Sequence, residues 1–328
     1  MECIRALEGK ILVTGGAGFI GSHVVDALLA RGREVVVVDN FNDYYDPRRK
    51  RRNIASHLDD KAFTLAEGSI EDFSFLQKVF ERYKPHKVLH LAARAGVRPS
   101  IQDPLLYKVS NVDGTQNILE LARRNALGQF VFASSSSVYG GNIKIPFSEE
   151  DRVDQPFSPY AATKRMGELL GYTYSHLFEL PVTCLRFFTV YGPRGRPDMA
   201  PYLFTDAISN GRPIEMFGDG STRRDYTYIS DIVSGVLASL EKPFAYEIFN
   251  LGNSQTVSLR DFISTVEDVV GKEAIIQQRN LFPGDVPVTF ADISKAKKML
   301  GYSPVVPVKD GLRHFFEWYS RNSMLESD

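Results

Sequence analysis

Two cysteines in 328 residues exclude a disulfide framework and point to a reducing compartment. Cys184 sits in an apolar run and reads as a small core residue. No run of about 18 apolar residues occurs, which argues against a membrane-spanning helix. The first ten residues lack the apolar centre of a signal peptide. These absences make the cytoplasm the expected location. With 39 Lys and Arg against 40 Asp and Glu, the formal net charge is −1. No charge excess therefore favours nucleic acid or a membrane surface as partner. Internal repeats and low-complexity segments are also missing, and no metal is expected.

What is present is a repeat of short apolar runs and longer helix-like segments. Strands are expected at Lys10–Thr14, Glu34–Asp39, Ala62–Glu67, Lys87–Leu91, Gln129–Ser134, Val182–Phe187 and Glu247–Leu251. Most are apolar throughout, as in strands covered on both faces. Helix patterns lie between them at Ser22–Arg31, Asp113–Asn125 and Pro159–Leu177. The expected fold class is α/β, a doubly wound parallel sheet of the Rossmann type. After Tyr191 the pattern loosens under a series of prolines and glycines. A second, smaller α/β substrate domain is expected there. The division expected is 1–189 plus about 225–262 for the dinucleotide part, and about 190–224 plus 263–328 for the substrate part. Such interleaving places a ligand cleft between the two.

Gly15, Gly18 and Gly21 follow the apolar run Ile11-Leu12-Val13 and precede a helix pattern, with Phe19 and Ile20 among them. Glycines there allow a sharp turn and close approach of backbone to a pyrophosphate at a positive helix N-terminus. Asp39 ends the second strand, where a carboxylate accepts from ribose hydroxyls and repels a 2′-phosphate. NAD is thus expected over NADP. The basic run Arg48–Arg52 reads first as a solvated helix face or loop, and second as a phosphate contact.

Tyr160 and Lys164 sit one helical turn apart, so both project from one helix face. A tyrosine hydroxyl ordinarily titrates near pH 10 and needs a nearby positive charge to act as a base at neutral pH. The hydroxyl-rich run Ser134–Ser137 precedes the pair, and Ser135 or a neighbour can hydrogen-bond a reacting oxygen. An alcohol-activating site beside a dinucleotide is the implied chemistry.

These motifs resemble those of the extended short-chain dehydrogenase/reductase family, over nearly the whole chain from Gly15 to about Gly311. Within it the chain is similar to nucleotide-sugar 4-epimerases, most of all those acting on UDP-glucuronate. The segments Asn40–Asp46, Ala92–Arg98 and Arg186–Ala200 carry that similarity. The resemblance implies catalytic roles for Ser135, Tyr160 and Lys164, with Ser135 standing four before Tyr139 of a Val-Tyr-Gly turn. It implies NAD contacts for Asn40, Asn42, Ile70, Ala92 and Ala93 as well as the glycine loop, Asp39, Tyr160 and Lys164. It places Arg224 on a diphosphate and Asp285 on a uridine ribose, chemistry that suits a guanidinium and a carboxylate. A homodimer is implied through helices near Asp103–Asn125 and Tyr160–Leu177, with Ile118, Leu119, Leu169 and Leu170 as apolar candidates. The sequence departs from relatives at Ser69, where Asp is usual, and at Arg94 and Phe282.

Related dehydratases place Asp-Glu directly after the catalytic hydroxyl, and related decarboxylases a Glu. Here Ser136 and Ser137 stand in those places, and neither moves a proton as a carboxylate does. Simple epimerisation is favoured. A 4-keto uronate is a β-keto acid and sheds carbon dioxide easily, so its carboxylate must be held. Ser136, Ser137 and Thr189 are expected to supply neutral hydrogen bonds there, and Arg196 a charge. The nearer alternative is a UDP-hexose or UDP-N-acetylhexosamine 4-epimerase. The more distant one is a non-catalytic NAD-binding regulator.

Overall fold

The computed structural model describes residues 9–281 and 286–323. Six strands come first along the chain: β1 (Ile11–Thr14), β2 (Val35–Asp39), β3 (Phe63–Glu67), β4 (Lys87–His90), β5 (Gln129–Ser135) and β6 (Val182–Phe187). Four short ones follow, β7 (Thr189–Tyr191), β8 (Ile214–Phe217), β9 (Arg223–Arg224) and β10 (Tyr226–Tyr228), and then β11 (Tyr246–Leu251). The first six join β11 in one seven-stranded sheet of order β11-β6-β5-β4-β1-β2-β3. All its pairings are parallel. The seven apolar runs of the sequence are these seven strands. Every residue of β1, β2, β4 and β6 is buried, because helices cover both faces.

Helices α1 (Phe19–Ala30), α2 (Pro47–Ile54), α3 (Phe73–Tyr83), α4 (Gly114–Arg124) and α5 (Pro159–Phe178) lie between the strands. Alternate strand residues feed two cores. Val13, Val37, Leu89 and Val131 pack with Val24, Val25 and Leu28 of α1 on one face. Leu12, Val36, Val88 and Phe130 pack with Val79, Phe80 and Ile118 on the other. Two helices begin earlier than their apolar periodicity suggests. The glycine loop runs straight into α1, with Gly18 as N-cap. Ahead of α4, a helical path starts at Pro104 and passes through a π-turn at Val109–Asp113. Ile118 and Leu119 are fully buried in the core, so they are not interface positions. Leu169 is half exposed.

Past β7 the chain forms α6 (Ala200–Ser209), α7 (Ile229–Glu241), α8 (Leu259–Val270) and strands β12 (Val257–Ser258) and β13 (Ile276–Arg279). β7 pairs with β10 and β8 with β13 in parallel, while β9 and β12 pair antiparallel. Phe204, Ile208, Ile214, Met216, Phe262 and Val266 make a separate core here. α7 returns to the main sheet, where Ile232 and Val236 pack. No helix among the described residues is long and apolar enough to cross a membrane.

Strand order reverses between β1 and β4, and the carboxyl ends of these strands open a crevice. The glycine loop, the β4 extension Leu91–Ala93 and the end of β5 all reach it.

Candidate active site

A single cleft receives residues from both parts of the chain. Gly15, Gly18, Phe19, Ile20, Gly21, Asp39, Asn40, Asn42, Ile70, Ala92 and Ala93 line its dinucleotide end. Ser135, Ser136, Ser137, Tyr160, Lys164, Thr189, Arg196 and Arg224 line the remainder. Asp285 and Phe282 lie outside the described residues.

The glycine loop is shaped by backbone contact. Gly15 has φ +70°, and a Cβ there would stand 2.8 Å from the Ala92 nitrogen. A Cβ on Gly21 would stand 2.1 Å from the Gly15 carbonyl oxygen. Side chains at either position would close the approach that a pyrophosphate needs at the α1 N-terminus. Asp39 is buried and accepts from the backbone N–H of Ala17 (3.1 Å) and Phe41 (3.0 Å). Burial raises its pKa, and the nearby Lys50 charge opposes that rise. Each Asp39 oxygen keeps a further lone pair for a ribose hydroxyl. The residues present therefore fit a dinucleotide.

The basic run forms α2, and its members diverge. Arg48, Arg51 and Arg52 are exposed, as a solvated face requires. Lys50 is the exception: it is buried and donates to the Asn42 carbonyl (3.1 Å) and Asn42 Oδ1 (2.9 Å). It lines the cleft beside Asp39. Periodicity inside a run of five cations could not single it out. Tyr44, Phe157, Met199 and Thr289 also line the cleft without having been assigned a role from sequence. Ser69 hydrogen-bonds Asn40 (3.4 Å) and Glu71 (3.1 Å) near the dinucleotide end. Arg94 leans toward Asp43 at 3.9 Å.

At the reacting end, β5 stops at Ser135 and a 3₁₀ turn, Ser136–Tyr139, follows. Ser135 Oγ accepts from the Ser137 hydroxyl (3.0 Å) and backbone N–H (3.2 Å). The Tyr160 phenol lies close enough for Ser135 to lower its pKa. Tyr160 enters from the first turn of α5, which Ser158 caps through the Ala161 N–H at 3.1 Å. One turn on, Lys164 Nζ donates to the Ala133 carbonyl at 2.7 Å. The lysine lies 6.0 Å from the centre of the Tyr160 ring. Burial pushes the Tyr160 phenol up, against the Ser135 hydrogen bond and the Arg196 charge. It brings Lys164 down to about 7. Protein alone thus leaves the phenol neutral at pH 7.

Arg196 reaches the cleft from the loop after β7. Its Nε and Nη2 donate to Asp198 (2.9 and 2.5 Å), and Nη2 also reaches the Tyr44 hydroxyl at 3.3 Å. The Nη1 group carries two further N–H donors. Arg224 donates to the carbonyls of Arg223 (2.9 Å) and Pro287 (3.4 Å) and also lines the cleft.

The model of the NAD dependent epimerase/dehydratase family matches residues 11–252. A UDP-glucuronate 4-epimerase of Thermodesulfobacterium geofontis is 46% identical over 96% of this chain and 97% of its own. The crystal structure of UDP-glucuronic acid 4-epimerase from Bacillus cereus, in complex with UDP-glucuronic acid and NAD, superposes with a TM-score of 0.90 at 39% identity. That match covers 95% of this chain and 99% of the other. The UDP-glucose 4-epimerase of Thermotoga maritima superposes with a TM-score of 0.89 at 32% identity, over 96% and 99% of the two chains.

Proposed function

This chain belongs to the NAD-dependent epimerase/dehydratase family, and we propose that it interconverts UDP-glucuronate and UDP-galacturonate by inversion at C4. One observation carries the choice of a uronate. Tyr160 shares its cleft with three neutral hydroxyls, Ser136, Ser137 and Thr189, and with the Arg196 guanidinium. That set suits a carboxylate held in place and supplies no second acid to eliminate water.

In this reading Tyr160 removes the proton of the C4 hydroxyl, with the Ser135 hydroxyl beside it in the cleft. NAD held by the glycine loop and Asp39 would supply the acceptor and donor for the C4 hydride, and the charge of its oxidised ring would favour the Tyr160 phenolate. Lys164, fixed on the Ala133 carbonyl, adds a second charge near the phenol whenever it is protonated. The 4-keto sugar turns over in the cleft, receives hydride on its other face, and takes its proton back from Tyr160. No cofactor is consumed. Arg196 and the serines keep the C5 carboxylate out of the geometry in which its carbon–carbon bond stands perpendicular to the ketone. Arg224 is assigned to the diphosphate and Asp285 to the uridine ribose on resemblance. Incubation with UDP-glucuronate and identification of the product sugar tests this. Turnover of UDP-galactose without turnover of UDP-glucuronate would favour the hexose alternative.

Cofactor choice rests on Asp39. Asp39→Asn retains the shape but loses the charge, and it shifts the ratio of NAD to NADP affinity toward NADP by on the order of 10-fold. Titration of both cofactors by calorimetry measures this, and an unchanged ratio would remove Asp39 from cofactor selection.

The remaining assignments are a two-part organisation, a homodimer and a cytoplasmic location. For the first, α8 joins the substrate part from Leu259, because Phe262 packs with Phe204 and Met216. For the second, Leu105 is 77% exposed beside Ile101 and Val109, and Leu169 is exposed on α5 with Met166 and Tyr172. Apolar side chains grouped this way support an interface between copies. Light scattering at micromolar concentration is expected to give a dimer, and Leu105→Glu with Leu169→Glu a monomer. A monomeric wild type would refute the assignment. Cys184, a buried free thiol, is in keeping with the reducing cytoplasm.

A further inference from the structure

Arg194 and Arg196 stand two residues apart and serve different partners. Arg196 enters the cleft, whereas Arg194 turns to the dinucleotide helix α1. Its Nη1 donates to Asp26 Oδ2 at 2.7 Å. The other Asp26 oxygen pairs with His57 Nε2 at 2.6 Å, just beyond α2. One turn earlier on the same face of α1, His23 Nε2 donates to the Pro193 carbonyl at 2.8 Å. The His23 ring also meets Phe19 edge-on at 6.0 Å, and Phe19 lines the cleft. Burial lowers the His23 pKa, against the Pro193 hydrogen bond, so a neutral ring with its proton on Nε2 fits the donor role. Arg194 itself has φ +61°, a left-handed conformation that an L-residue adopts only when its surroundings hold it. Gly192 at φ +145° and the Gly195 N–H on the Gly192 carbonyl (3.0 Å) complete the turn.

We propose that Arg194, with Asp26 and His23, is a positioning device that docks the Arg196 loop on the dinucleotide helix and thereby sets the preference for a sugar bearing a carboxylate over a neutral one. This rests on the uronate reading of the cleft given above. The physical reason is geometric. Arg196 is the one cation among the groups assigned to the sugar carboxylate, and a guanidinium binds a carboxylate well only when its planar fork is aligned. Neutral hydroxyls on a sugar make no such demand. The loop between Gly192 and Met199 has two anchors on opposite sides: Asp198 and Tyr44 hold the Arg196 fork, while α1 holds Pro193 and Arg194. Releasing the α1 anchor lets the fork shift while leaving the uridine and diphosphate contacts in place.

The test uses the full-length, NAD-loaded enzyme with Asp26→Asn, Arg194→Ala and Arg194→Lys. Calorimetric Kd values are measured for UDP-glucuronate and UDP-glucose, beside kcat, KM and Tm. Asp26→Asn and Arg194→Ala are expected to weaken UDP-glucuronate by about 10-fold, UDP-glucose by less than about 2-fold, and to change kcat by less than about 3-fold. Arg194→Lys keeps the cation and recovers most of the loss. In an Arg196→Ala background, Asp26→Asn adds less than about 2-fold, because the two act through one group. Equal losses for both ligands, or additive losses in the Arg196→Ala background, would show mere buttressing of the fold and overturn the proposal. A wild type that turns over UDP-glucuronate while these variants lose both ligands equally leaves the functional reading standing. A wild type inert toward UDP-glucuronate overturns that reading and the positioning role together.

Discussion

Tyr160→Phe lowers turnover of UDP-glucuronate by about 10² to 10⁴-fold, the usual contribution of a general acid–base group. Affinity for NAD and UDP-sugar stays within a few-fold of the wild type, because only one oxygen is lost. The ring keeps its edge-on contact with Tyr107, whose centroid lies 6.3 Å away. Ser135 retains its hydrogen bonds from Ser137, and Lys164 stays on the Ala133 carbonyl. Product analysis gives the rate and calorimetry the affinities. Wild-type-like turnover would remove Tyr160 from the chemistry. Loss of ligand binding in step with turnover would instead make it a structural residue.

Glu168→Ala destabilises the fold by about 3–5 kcal/mol, the cost of leaving a buried charge without its partner. Glu168 lies on α5, two turns beyond Tyr160, and is fully buried. Its Oε1 accepts from Ser134 Oγ at 2.6 Å and Arg186 Nε at 2.8 Å. Its Oε2 accepts from Arg186 Nη2 and from Arg165 Nη1, both at 2.9 Å. The pair therefore ties α5 to β5 at the residue before Ser135, and to β6. Arg186 also lies 4.9 Å over the Tyr139 ring. Urea denaturation measures the loss, and a change under about 1 kcal/mol would contradict it. Glu168→Leu combined with Arg186→Met removes both charges and costs far less than either single change. Burial alone would raise the Glu168 pKa, but the Arg186 guanidinium, with Ser134 and Arg165, outweighs it and holds the carboxyl below its ordinary value. Its folded pKa is depressed, so the stability it contributes is present above the unfolded value, near 4.3. That stability is lost as pH falls through the lower folded value.

Much of this architecture was legible because it is local. A strand buried on both faces leaves a short, mostly apolar run, and β1 and β2 are such runs, each with one polar residue at its carboxyl end. The glycine spacing reports a backbone constraint that acts within seven residues: Gly21 must pass the Gly15 carbonyl. Tyr160 and Lys164 needed only the helix period. Lys50 was illegible for the opposite reason. Five adjacent cations look alike until Asn42 selects one of them. Ile118 and Leu119 showed the same limit: apolar periodicity identifies a buried face but not what buries it, and here the sheet does.

Sequence by itself determined the order of the seven main strands, the glycine loop, the carboxylate that ends the second strand and the Tyr-Lys pair. Each depends on neighbours within a turn or two of chain, where bond geometry and side-chain period leave few alternatives. Only tertiary structure decided which distant groups answer one another. Asp26 meets Arg194 and Glu168 meets Arg186 because parallel packing brings separate helices and strand ends together. Pairs such as these, far apart in sequence, exist only once the fold brings them together. Burial then sets both the cost of leaving a charge unpaired and the protonation of the groups nearby, as in the opposed shifts of Tyr160 and Lys164.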